Sequence, residues 1–441
     1  MTEATSIDLL LSASWVIPVE PFGAVFENAA IAIDDGKILG IFQVDDAKKQ
    51  FVLKTHEHFE GQALLPGFVN AHTHSAMTLL RGYADDMPLM SWLTEKIWPA
   101  EAKLLTEQSV YGGSLLACKE MLMGGITCFN DMYFYPVSTA KAVLDSGIRA
   151  MLGLIVFDNS SIHTKNADDC LHQAEKLLTN LQGTNQRLYF CVAPHAPYTV
   201  SDDSFKKIKR FKEKHGLKMT IHLNETESEV ELSLQVHGKT PIDRLESLGL
   251  LDSDLIAVHG VSLTHSDIQK LKNNNASVVH CPTSNLKLAS GIAPVSELLQ
   301  HGVVVGLGTD GASSNDRLDI MQEMRFAALL AKVKAMDPTS VNAYKALTMA
   351  TLDGAKALGL DDQIGSLVPG KFADICAIDI SKFEYQPCYN VVSHLVYVCG
   401  RESVTNVWVG GKKSYCVGKL QQTSNKSLDK SIVMWQNSVL R

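Results

Sequence analysis

Apolar residues in the middle of the chain recur in two alternating patterns. Eight short apolar runs of strand length can be read: Leu64 to His74, Gly125 to Asp131, Arg149 to Asp158, Arg187 to His195, Leu217 to Glu225, Leu255 to Gly260, Ser277 to Pro282 and Val303 to Gly311. Between them lie stretches with helical spacing, such as Glu101 to Met123, Val137 to Ser146 and Asp168 to Thr179. Eight strand–helix repeats over about 300 residues predict an α/β fold of the (β/α)8 TIM-barrel type. A doubly wound sheet is the alternative. No glycine-rich nucleotide-binding turn follows the first strand, which weighs against it.

The chain ends carry a different pattern. Ile7 to Leu11, Ala30 to Ile33 and Ile38 to Phe42 read as short β segments, the last two joined by the hairpin signal Asp34-Asp35-Gly36-Lys37. Ala373 to Ile380 and Val404 to Val409 read similarly. Neither end has enough apolar material for its own core, so the two are expected to pack together. The expected organisation is a small composite β-sandwich domain from residues 1–64 and 368–441, around a catalytic barrel from residues 65–367.

Composition narrows the function classes. The 441 residues are 46% hydrophobic and 20% charged, which excludes wholesale disorder. The formal net charge of -8 argues against general attraction to nucleic acid or to anionic lipid. The one basic run, Lys206 to Lys218, has Ile208 and Phe211 three apart and reads as the solvated side of a helix. The nine cysteines form no metal-binding or disulfide spacing, and Cys118, Cys128, Cys191 and Cys281 sit in apolar runs as core residues. No signal peptide or membrane-spanning run is visible, so a soluble cytoplasmic protein is expected. The apolar stretch Ile432 to Trp435 is expected to cover the β domain or join a subunit contact.

Chemistry concentrates at the ends of the expected strands. His72 and His74 leave the same face of one strand. His222, Glu225, His259, His195 and Asp310 follow at the ends of others. Barrel geometry gathers strand C-termini over one mouth, where interior polar residues are costly unless used. His72, His74, His222 and Asp310 make a three-nitrogen, one-carboxylate set suited to a divalent ion, zinc by default with iron as the alternative. Each histidine taken alone is more simply a hydrogen-bonded side chain; the set is not.

The segments LLPGFVNAHTHSAMTLLRGYADD, WLTEKIWPAE, CVAPHAPYTV, IHLNETESEV, HCPTSNLKLASG and GLGTDGASSNDRLDIMQEMR resemble, in order, the amidohydrolase superfamily. Within it the chain is most similar to the 5'-methylthioadenosine/S-adenosylhomocysteine deaminases, near the triazine hydrolases. The resemblance implies that His72, His74, His222 and Asp310 ligate one divalent metal ion. It also implies that Glu225 protonates ring nitrogen N1, that Asp310 accepts a water proton, and that His259 orients the attacking water. The fourth strand ends Cys191-Val192-Ala193-Pro194-His195. It lacks the lysine that two-metal relatives carboxylate, which supports a mononuclear site.

The implied reaction is hydrolytic deamination at C6 of 5'-methylthioadenosine, with S-adenosylhomocysteine or adenosine as further substrates. The small-molecule partner is thus an adenine nucleoside, and homo-oligomerisation is a family expectation. Glu101 resembles the carboxylate that accepts the ribose hydroxyls, and His195 a second nucleoside contact. Arg149 is weighed as a weak substrate contact, with a salt bridge at the start of its strand as the stronger reading. Strict strand alternation would place Glu225 opposite His222, so its position at the mouth requires a turn of the backbone. The competing readings are a guanine, pterin or triazine aminohydrolase or chlorohydrolase, and a noncatalytic purine or metal sensor.

Overall fold

The computed structural model describes residues 5–158, 164–421, 432 and 435–436. The N-terminal end forms β1 (Thr5–Val16), β2 (Phe26–Asp34), β3 (Lys37–Gln43) and β4 (Phe51–Pro66). Asp35 and Gly36 join β2 to β3 with φ of 46° and 73°. Two positive φ values in a two-residue loop are what a twisted hairpin needs, and they explain the Asp-Gly signal.

Eight parallel strands follow: β5 (Phe68–Thr73), β6 (Ile126–Tyr133), β7 (Arg149–Val156), β8 (Leu188–Pro194), β9 (Lys218–Leu223), β10 (Leu255–His259), β11 (Ser277–His280) and β12 (Val304–Leu307). They lie side by side in chain order as a nearly closed barrel. Inside, Val69, Ala71, Cys128, Met151, Cys191 and Val258 pack as a core; a larger apolar layer lies against the surrounding helices. The seam between β12 and β5 is bridged by the Asp310 N–H donating to the His72 carbonyl at 3.1 Å. A Cβ on Gly308 would lie 2.9 Å from the His72 carbonyl oxygen and from its Cβ, so only glycine lets the two strands approach here.

The C-terminal end returns to the first sheet as β13 (Ile375–Asp379), β14 (Val404–Val409), β15 (Lys412–Cys416) and β16 (Lys419–Leu420). The order β16-β15-β14-β13-β4-β1-β2-β3 makes one mixed sheet from both chain ends. Only the β1–β4 pair is parallel. The sheet curls until its two hairpins meet around the segment 371–373. The Ile38 N–H donates to Lys371, Ala373 to Gly36, and Gly411 to Ala373. Leu9, Leu11, Ile31, Ile33, Ile375 and Trp408 fill the space enclosed.

Three expectations are refined. The helix foreseen over Glu101–Met123 is two helices, Trp98–Leu104 and Glu107–Met123. Thr106 breaks it by accepting the Ser109 N–H on its hydroxyl at 3.1 Å, a capping box that starts a new helix. Trp435 packs onto Gly112 of the second helix, beside Leu80, Trp92 and Ile97, and not onto the β sheet; Val433 and Met434 lie outside the described residues. The basic run is the helix Asp202–His215, with Phe205, Ile208 and Phe211 buried. Its Lys207, Lys212 and Lys214 pair with Asp168, with Asp252 and Asp254, and with Glu175.

Arg149 begins β7, at the barrel end opposite the strand C-termini. Its Nε and Nη2 donate to the two carboxylate oxygens of Asp374 at 3.0 and 3.1 Å, and both residues are buried. The weak assignment of Arg149 to substrate is therefore withdrawn: its guanidinium is committed to a pair that ties the barrel to β13. Asp374 also accepts the Gly410 N–H at 2.7 Å. Removing one partner strands a buried charge. Asp374→Ala is expected to lower the apparent stability by about 3–5 kcal/mol in denaturant unfolding. The folded, metal-loaded variant should keep wild-type turnover; loss of turnover without loss of stability would contradict this role.

Candidate metal and proton-transfer site

Six of the predicted residues meet above β5, β9, β10 and β12. His72 closes β5 on its inner face and His74 follows the strand. Asp310 reaches back from beyond β12: its Oδ1 lies 3.4 Å from His72 Nε2 and 3.0 Å from His74 Nε2. His222 Nε2 lies 3.2 Å from His72 Nε2 and 3.3 Å from His74 Nε2. These four separations, 3.0–3.4 Å, have the size that metal–nitrogen bonds of about 2.0–2.1 Å set between neighbouring ligands of a tetrahedral ion. Asp310 Oδ1 and His72 Nδ1 are buried without a hydrogen-bond partner.

The electrostatics agree with a site that awaits positive charge. Burial pulls His72 down to about 4 and holds His222 well below the ordinary imidazole value. Burial also opposes charge on His74, yet the adjacent Asp310 carboxylate raises it to about 9. Asp310 itself is buried and is nevertheless held well below the usual carboxylate range by His72 and His74. A carboxylate beside two imidazoles that lose protons readily, His72 and His222, is a donor set for a cation, which would compete with the proton that Asp310 favours on His74.

Backbone carbonyls aim the rings. His74 Nδ1 donates to the Met132 carbonyl at 2.6 Å and His222 Nδ1 to the His195 carbonyl at 2.8 Å, so each turns Nε2 to the centre. Ser284 and Ser314 donate to Asp310 Oδ2 at 2.7 and 2.8 Å and leave Oδ1 facing the histidines. Ligand-capable atoms of His72, His222, His259 and Asp310 also lie within 4.8 Å of one another. His259 differs from His74 in its commitments: its Nδ1 donates to Asn285 Oδ1 at 2.8 Å, and its Nε2 lies 3.9 Å from Glu225 Oε2.

Glu225 does reach the mouth. β9 ends at Leu223, and Asn224 takes a φ of 52°, which turns the next side chain off the strand's alternation. Burial raises its carboxyl above the ordinary value. Glu101 lies buried on its short helix and accepts the Tyr133 hydroxyl at 2.6 Å. Burial raises it to about 7, against the Tyr133 hydrogen bond and the His74 charge. His195, pulled down to about 3 by burial and by His74, stacks on Phe157 with ring centres 4.7 Å apart.

Residues 63–413 match the model of the amidohydrolase family. The chain belongs to that family.

Among its relatives, this amidohydrolase is 42% identical to the 5-methylthioadenosine/S-adenosylhomocysteine deaminase of Teredinibacter turnerae, over 100% of this chain and 99% of that one. It is 41% identical to the 5'-deoxyadenosine deaminase of Methanosarcina mazei, over 92% of both. Its fold superposes on the crystal structure of an adenosine deaminase from Xanthomonas campestris with bound zinc at a TM-score of 0.97, with 40% identity and 99% of each chain covered.

The amidohydrolase cleft above the cluster holds about 640 Å³ free of protein atoms, its open mouth included. Glu101, His195, Glu225 and His259 line it with Leu89, Trp92, Leu93, Trp98 and Leu288. Trp92 and Leu93 thus form an apolar wall of the cleft, whereas Met87 and Met90 line the neighbouring hollow. The aiming carbonyls of Met132 and His195 carry no side-chain signal in the sequence. Tyr133, just past an expected strand, and Phe157, within one, carry no separate signal either. Adding zinc to chelator-treated protein should raise its thermal midpoint. His222→Ala should lose that rise, and a wild type that does not respond would show that the cluster is no cation site.

Proposed function

We propose that this chain is a metal-dependent aminohydrolase that hydrolyses the C6 amino group of adenine nucleosides, with 5'-methylthioadenosine the preferred substrate. The observation that carries the reading is a buried carboxylate, Glu101, in the same cleft as the histidine–aspartate cluster and the Glu225–His259 pair. A carboxylate there can accept both hydroxyls of a ribose diol, which guanine, pterins and triazines lack.

His72, His74, His222 and Asp310 hold one divalent ion, zinc by the nature of the donors. When bound, the ion supplies the Lewis acidity that makes water a nucleophile near neutral pH. His259 is the orienting group: with Nδ1–H on Asn285, its Nε2 is free to accept from the attacking water. Asp310 takes a proton from that water, and Glu225, whose carboxyl burial raises above its ordinary value, delivers one to N1 of the ring. Oxygen then bonds to C6, the C6–N bond breaks as Asp310 passes its proton to the departing amino group, and ammonia leaves; the second water proton, left on the C6 oxygen, restores Glu225. The product is the inosine analogue. His195 meets the nucleoside as a neutral ring.

The apolar wall favours an uncharged 5' substituent. Among the described residues no lysine or arginine lines this cleft, so the homocysteine carboxylate of S-adenosylhomocysteine would enter without a partner. The catalytic domain spans residues 65–367, with the ends as the composite domain. No helix among the described residues is long and apolar enough to cross a membrane, and we place the enzyme in the cytoplasm.

Ammonia release from zinc-loaded protein is the decisive assay. 5'-Methylthioadenosine should exceed S-adenosylhomocysteine in kcat/KM by at least about tenfold, the effect of ~1.4 kcal/mol of uncompensated charge. Faster release from guanine, or chloride release from a chlorotriazine, would overturn the nucleoside assignment; no turnover at all would favour a sensor. The pH profile is a second check. Glu101 accepts the diol only when ionised, so kcat/KM should fall as pH drops through about 7 and level off above it. In Glu101→Gln that limb should vanish; its persistence would assign the limb to another group.

A further inference from the structure

We infer that Glu229 is the positioning residue for Glu225, acting through the backbone; this deepens the proposed reaction and rests on it. Glu229 is the third residue of the helix Glu227–His237, and its side chain is buried. It points back across the start of the helix. Its Oε1 accepts the Asn224 N–H at 3.0 Å and its Oε2 accepts the Glu225 N–H at 2.8 Å. One carboxylate therefore grips two consecutive peptide groups, and these belong to the turn that takes Glu225 off the strand.

That turn needs holding. Asn224 sits in the left-handed region at φ 52°, a conformation that costs a non-glycine residue energy and persists where its surroundings impose it. The Asn224 side chain adds one tie, donating to the Ser262 carbonyl at 2.9 Å. The Glu225 carboxylate has none: among the described residues it makes no hydrogen bond, and His259 Nε2 stands off at 3.9 Å. The direction of the proton donor is thus set by its own backbone, which Glu229 holds at both N–H groups while the Asn224 carbonyl accepts from the Val261 and Ser262 N–H groups, each at 2.9 Å. A side chain that accepts two consecutive backbone N–H groups, one on each carboxyl oxygen, is suited to hold a strained turn even though burial raises its carboxyl to about 8. The helix itself is capped separately: Thr226 accepts the Glu229 N–H on its hydroxyl at 3.2 Å.

Glu229→Gln keeps the shape but replaces one acceptor oxygen with an N–H2 group that opposes a backbone N–H. The expected result is a fall in kcat of at least about 30-fold, with KM for 5'-methylthioadenosine and zinc content within threefold of wild type. Thr226→Ala removes the helix cap and leaves the clamp. It should lower the thermal midpoint while keeping kcat within threefold. A double-mutant cycle completes the test: in the Glu225→Gln background, Glu229→Gln should cost no more than threefold further. The inference is overturned if Glu229→Gln retains kcat within threefold, if Thr226→Ala loses as much as Glu229→Gln, or if the two glutamate losses multiply. Wild-type turnover by Glu225→Gln alone would instead overturn the proposed reaction, which separates the two failures.

Discussion

The approach of β12 to β5 is the contact on which the site depends. The first and last strands of the barrel meet where Gly308 faces the His72 backbone and the Asp310 N–H reaches the His72 carbonyl. Asn70 and Thr309 reinforce the seam, with the Thr309 N–H donating to Asn70 Oδ1 at 3.0 Å and Asn70 Nδ2 donating to Thr309 Oγ1 at 2.8 Å. This closure puts a carboxylate from the end of the barrel among histidines from its beginning. A side chain on Gly308 would push β12 away, and Asp310 Oδ1 would move out of reach of His72 and His74. The barrel's closure and the donor set are therefore one structural fact.

The same arrangement opposes folding in the absence of an ion. Three imidazoles and a carboxylate are taken out of water, and burial disfavours charge on each. Part of the cost is offset by fixed partners: the Met132 and His195 carbonyls on two rings, and two serine hydroxyls on Asp310 Oδ2. What stays unsatisfied, Asp310 Oδ1 and His72 Nδ1, lies in or beside the cluster. Ion binding and stability are consequently linked, because the folded barrel gathers donors that the unfolded chain leaves apart.

Backbone strain is distributed over the same mouth. Asn224, His259 and Asp310 all take positive φ, at 52°, 73° and 58°. Each sits at or just beyond the end of a barrel strand, where a left-handed residue redirects the chain before the next helix begins. Each has a nearby brace: Glu229 on the Asn224–Glu225 peptides, Asn285 on the His259 ring, and Asn315 Nδ2 on the Thr309 carbonyl at 2.6 Å. A strand alone cannot present Glu225 and His222 to one cavity, since alternate residues face opposite sides. A braced turn can.

Much of this was legible in the sequence. Eight apolar runs separated by helical spacing marked the barrel, the Asp-Gly pair marked a hairpin, and ordered motifs marked the family and its polar strand ends. These are local signals, carried by side-chain period and turn chemistry within a few residues. Other features were decided only by the tertiary structure. The capping box at Thr106 splits one expected helix and sets Glu101 on a short one of its own. Arg149 belongs to a buried pair with a residue 225 positions away and not to the mouth. Trp435 lies on a barrel helix and not on the sheet. The ring-aiming carbonyls and the Glu229 clamp use backbone groups that every residue possesses, so no residue type announces them. Period and turn preference are properties of neighbours along the chain, whereas direction at a strand end depends on which distant backbone groups the closed barrel brings within hydrogen-bond reach.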